Sequence, residues 1–232
     1  MNDAAAPPDS ISESSDAVLA ARLRGFGPLG ILAMLVITAG QIAGPLSALL
    51  VLIWAKLSRT PWRDIGYLRP RSWPRTLAIG IAFGIALKFL MKALVMPLLG
   101  AAPMNQAYRY LAGNTIVAAL FVPELIIKAG FGEETFFRGY WFERLGKLFG
   151  QSLGAKVVTV LLTSVFFGSL HYFEQGLAGA EQALITGLTF GTIFAITGRI
   201  WTLMIAHAAF DLAALAMIYW DLETKVAHLV FK

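Results

Sequence analysis

Two adjacent carboxylates followed four residues later by a guanidinium, Glu133-Glu134-Thr135-Phe136-Phe137-Arg138, sit inside an otherwise apolar stretch. A charge at membrane depth costs at least ~2.5–3.5 kcal/mol on insertion scales, so a cluster of them requires a reason. On an α-helix Glu134 and Arg138 project about 40° from each other and suit an ion pair, whereas Glu133 lies about 140° from Arg138. Glu133 is then left without an intrahelical partner. A lone carboxylate in apolar surroundings is poised to take up and release a proton, which makes Glu133 the candidate general base. The competing reading is a salt-bridge network that only ties helices together.

Two further pieces carry titratable groups. In Phe167-Gly168-Ser169-Leu170-His171 an imidazole ends an apolar run one turn after an aromatic ring; in His207-Ala208-Ala209-Phe210-Asp211 an imidazole and a carboxylate four apart share a helix face. Alone, each reads as well as a satisfied core histidine or a simple His–Asp hydrogen bond. Three helical segments that each bear the desolvation cost of ionisable groups point to a common site. Glutamate, two histidines and an aspartate form a set that activates water, either directly or through a bound divalent metal such as zinc held by Glu133, His171, His207 and Asp211. Hydrolysis is the natural reaction class. Ser169 and Thr135 lie near these motifs but lack a second signature for a base on the hydroxyl, and the chain has no cysteine, which removes thiol chemistry and disulfides.

The elements that must position these groups are membrane helices. The 232 residues are 57% hydrophobic and 14% charged, with a mean hydropathy of +0.68, far from the composition of soluble domains. Apolar runs long enough to cross a bilayer recur over 28–57, 76–99, 116–149, 156–173, 180–197 and 200–220. The expected fold is all-α, a polytopic transmembrane bundle of about six spans. Gly40, Gly44 and Pro45 offer a kink in the first span, Gly130 and Gly132 a break just before Glu133, and Lys88 and Lys92 a snorkelling pair. Residues 1–24 read as a disordered tail, 25–112 as N-terminal helices joined by a basic linker, and 113–222 as the catalytic region. The net charge of +5 concentrates between apolar runs, where anionic headgroups and positive-inside retention account for it. The expected partners are therefore membrane lipids and not nucleic acid, and the expected location is multi-pass in a bacterial plasma membrane.

The ordered set Glu133-Glu134-x-x-x-Arg138, Phe167-x-x-x-His171 and His207-x-x-x-Asp211 resembles the CPBP intramembrane proteases, the CAAX protease and bacteriocin-processing (Abi) family, whose motifs read EExxxR, FxxxH and HxxxN/D. The resemblance covers about residues 132–211; the linker run Asp64-Ile65-Gly66-Tyr67 is also similar to the family's linker. It implies an intramembrane endopeptidase acting on a peptide or protein, prenylated near its C-terminus or bacteriocin-like. It further implies that Glu133 and His171 activate water, that His207 and Asp211 position substrate or stabilise the oxyanion, and that Glu134, Arg138 and Phe167 support them. Asp211 departs from the Asn of many prenyl-processing members: a carboxylate is a poorer oxyanion donor and a better metal ligand. The rival classes are a non-catalytic scaffold or immunity protein on the same fold and a proton-coupled transporter, which an inverted repeat would support; the sequence shows none.

Overall fold

The computed structural model describes residues 9–231, all of it helix and connection with no strand among the described residues. It divides into two compact units, with the boundary between Trp62 and Arg63. In the first, helix α1 (Asp9–Arg24) meets α2 (Pro28–Ala39) at a bend of 60°. Residues 9–24, expected as part of a structureless tail, are thus helical. Their Ala, Leu and Arg content favours helix, Ala20 is buried, and the Trp54 indole N–H donates to the Leu23 carbonyl at 3.0 Å. The expectation for residues 1–8 lies outside the described residues.

The single span expected over 28–57 is also corrected. A 3₁₀ turn at Gly40–Ala43 and Gly44 at φ +63° stop the helix, and Pro45 caps the next, α3 (Leu46–Leu57). Gly40 lies where a Cβ would sit 3.1 Å from the Ser47 backbone, so the chain turns tightly there. The 12 residues of α3 extend about 18 Å, short of a ~30 Å hydrocarbon core.

The second unit holds the long helices: α4 (Trp73–Leu98), α5 (Thr115–Phe149), α6 (Leu153–Thr197) and α7 (Trp201–Tyr219), with a short α8 (Glu223–Ala227). By length and composition these four can cross a membrane, and the bent α1–α2 pair brings the number to five. The 45-residue α6 does not run straight. Gly176, at φ +64° and ψ −162°, reverses it. Its two arms then pack antiparallel, Gly168 against Leu184, Gly187 against Ser164 and Gly191 against Val160. The arms correspond to the separate runs read at 156–173 and 180–197. Large apolar side chains such as Ile116, Leu120 and Ile196 point outward with more than 70% of their surface exposed, as a lipid-facing wall requires. The molecule is an integral, multi-pass, all-α membrane protein.

Close helix contacts set the frame. Gly80 and Gly84 of α4 seat against α7, where a Cβ on Gly84 would lie 2.1 Å from the Ala206 carbonyl oxygen. Gly130 lets α5 approach α7 in the same way, 2.9 Å from the Met204 carbonyl by the same measure. The break expected at Gly130 and Gly132 is absent; α5 continues through them with the wide π pitch over Leu125–Glu133 and Thr135–Trp141. Pro123, which lacks an N–H and crowds the carbonyl four residues back, sits just ahead of that pitch.

The basic linker docks on this frame. Gly66, at φ +83°, accepts from the Ile200 N–H at 3.1 Å, and a Cβ there would meet the Phe194 ring at 2.5 Å. The Tyr67 hydroxyl lies 2.7 Å from Thr135 Oγ1 on α5. Burial pushes that hydroxyl up to about 12, so it stays protonated at neutral pH.

Candidate active site

Helix α5 presents its two carboxylates in different directions. Glu134 is fully buried, and its Oε1 accepts from the Arg138 guanidinium at 2.8 Å, the pair that the four-residue spacing suggests. The same oxygen accepts from His207 Nδ1 at 2.7 Å, an interhelical bond that spacing alone does not reveal. Arg138 also donates to the Gly187 carbonyl at 3.4 Å and lies over the Phe167 and Phe190 rings, 5.0 and 5.6 Å from their centroids. A guanidinium held by a carboxylate, a carbonyl and aromatic faces is compensated on every side.

Glu133 is placed otherwise. Its Oε2 has no hydrogen-bond partner among the described residues; the nearest base is His207 Nε2 at 3.8 Å. Asp211 Oδ2 lies 3.7 Å from that same nitrogen. Both gaps exceed a direct hydrogen bond, so the His207–Asp211 bond weighed from sequence is not formed. With Nδ1 committed to Glu134, His207 turns Nε2 toward Glu133 and Asp211.

His171 comes from the first arm of α6. Its Nδ1 donates to the Phe167 carbonyl at 2.9 Å, which leaves Nε2 available. Phe167 links the groups: its ring lies 4.5 Å from the His171 ring and 5.9 Å from that of His207. Glu133, Phe167, His171, His207 and Asp211 all line one cavity of about 150 Å³; Glu134 and Arg138 stand behind it. The Tyr67–Thr135 bond braces the turn of α5 that follows the carboxylates.

A zinc ion needs three or four donors at about 2.0–2.2 Å. No group of three or more His, Asp or Glu side chains among the described residues is drawn together tightly enough for that.

The cavity also contains groups the sequence reading placed elsewhere. Lys88 and Lys92, expected to snorkel outward, are buried and face the cavity. Lys92 pairs with Glu223 of α8 at 2.8 Å, and Glu223 also accepts from the Asn105 N–H at 3.2 Å. Lysines one turn apart inside an apolar span were the available signal. Glu223 carries no such signal, because it lies beyond the last span in an ordinary polar turn.

Residues 114–213 match the family model described as Rce1-like, type II CAAX prenyl endopeptidase. No curated protein and no solved structure matches the chain.

Proposed function

We propose, from the match of residues 114–213 to the Rce1-like family model, that this chain hydrolyses a peptide bond within the membrane, with 113–222 as the catalytic region and Glu133 as the base. The observation that carries the reading is the convergence of Glu133, His171, His207 and Asp211 on one cavity, with a Glu133 oxygen that makes no hydrogen bond among the described residues.

Glu133 takes a proton from water, and the resulting hydroxide attacks the carbonyl carbon of the peptide. His171, through its available Nε2, helps orient that water. As the C–O bond forms, the oxyanion accepts a hydrogen bond from His207, whose imidazolium form donates from Nε2 while Nδ1 remains on Glu134. The C–N bond then breaks and Glu133 returns its proton to the leaving amine. Asp211, an acceptor when ionised, positions the substrate by taking an N–H bond. No covalent intermediate is needed. The family description favours a peptide or protein substrate, prenylated in the CAAX case.

Detergent-purified protein incubated with a library of apolar peptides tests this by mass spectrometry. Wild type is expected to release discrete products, and His171→Ala to lower the rate by about 10²–10⁴-fold. Chelator is expected to leave the rate unchanged. A folded wild type that cuts nothing assigns the chain to the scaffold reading instead.

A further inference from the structure

Three cations line the cavity: Lys88, Lys92 and Lys128. Lys92 is neutralised by Glu223 at 2.8 Å, and Lys128 pairs with Glu124 at 3.4 Å near the exposed rim. Lys88 differs. It is 8% exposed, no carboxylate of the described residues lies within 4.0 Å of its Nζ, and its hydrogen bond at 3.1 Å goes to the neutral Gln182 Oε1. The Phe210 ring lies 4.8 Å from the ammonium, and Asp211 and Glu223 act on it only through space. Burying an ammonium whose direct contacts are all neutral is costly, and an incoming anion relieves that cost.

Its position along the helices is equally defined. Helices α4 and α7 run side by side in the same direction, Gly80 against Thr202 and Ile205, Gly84 against Ala206 and Ala209, Lys88 against Phe210. Lys88 therefore stands level with Phe210 and Asp211, about one turn, 5.4 Å, beyond His207. An anion bound there is held a short distance to one side of the reacting groups. The internal units of a peptide carry no charge, whereas its C-terminus carries a full one.

We propose that Lys88, with Gln182 beside it, is the anchor for the free C-terminal carboxylate of the peptide substrate, so that the protein selects chain ends over internal segments. The proposal rests on the reading of the cavity as a peptide site. It explains why a lysine faces inward at this depth when snorkelling to the headgroups was open to it.

The test is binding of a dansyl-labelled apolar hexapeptide, with a free C-terminal carboxylate or a C-terminal amide, to the detergent-purified full chain, read by fluorescence anisotropy with cleavage followed in the same samples. Wild type is expected to bind the acid about tenfold more tightly than the amide. Lys88→Met is expected to lose that preference while its affinity for the amide is unchanged, and Lys88→Arg to retain it. Equal binding of acid and amide by wild type overturns the anchor, a result that needs no variant to fold. Preference surviving in Lys88→Met overturns it too. Lys88-dependent capture of phosphatidylglycerol from mixed vesicles without peptide discrimination assigns the site to a lipid phosphate and also overturns it. Acid preference without cleavage sustains the anchor and removes the hydrolytic reading; cleavage with equal binding does the reverse.

Discussion

Neighbouring residues of one type divide their labour here according to what they touch. Glu134 is committed twice, to Arg138 at 2.8 Å and to His207 at 2.7 Å, and is closed to solvent. Glu133, the preceding residue, lines the cavity instead, with His207 Nε2 3.8 Å from its Oε2. Removing one partner of a buried ion pair strands the other charge, at a cost of about 3–5 kcal/mol. Glu134→Gln is therefore expected to lower the thermal unfolding midpoint sharply in detergent, and Arg138→Met likewise. A midpoint unchanged in both shows that the pair bears no structural load. The Glu134–Arg138 pair was legible from the four-residue spacing alone, as was the lack of an intrahelical partner for Glu133. The bond from His207 to Glu134 was not, because it depends on how α5 and α7 are rotated against each other. Lys88 was legible as an anomaly but not as a cavity residue, since snorkelling and inward projection start from the same position on the helix.

Small residues and pitch govern the elements. Gly84 brings α4 onto the Ala206 carbonyl one residue before His207. A side chain there must force the helices apart, at about 1–3 kcal/mol or more. Gly84→Leu is expected to lower both the unfolding midpoint and the cleavage rate, while Gly154→Ala, where a Cβ meets nothing within 4 Å, changes neither. Equal behaviour of the two variants contradicts the packing argument. The reversal at Gly176 was readable in outline, because the polar stretch between two apolar runs marks a turn. The wide pitch of α5 was not: Gly130 and Gly132 look like breakers in a sequence, and only the neighbouring α7 shows that Gly130 serves close approach.

For the whole molecule, the apolar exterior and the buried ionisable groups are two consequences of one solvent. Outward Ile116, Leu120 and Ile196 face hydrocarbon, while the carboxylates, lysines and histidines turn inward where they find partners or a cavity. The chain is accordingly expected to stay in the membrane pellet after alkaline carbonate washing and to require detergent for release; recovery in the supernatant contradicts the membrane assignment. Composition alone made that class legible. The number of spans was less so, because Gly40, Gly44 and Pro45 turn one apolar run into two short helices, a choice that hydropathy does not encode. The docked linker, with Gly66 on Ile200 and Tyr67 on Thr135, shows that a basic loop can also brace the site from outside the spans.

The most direct measurement is the peptide cleavage rate of Glu133→Gln beside wild type, at matched thermal unfolding midpoints. A glutamine keeps the shape of the side chain and removes its capacity to accept a proton from water. The expected result is an unchanged midpoint with a rate reduced by at least about 100-fold; a rate within a few-fold of wild type would contradict Glu133 as the base on which the mechanism depends.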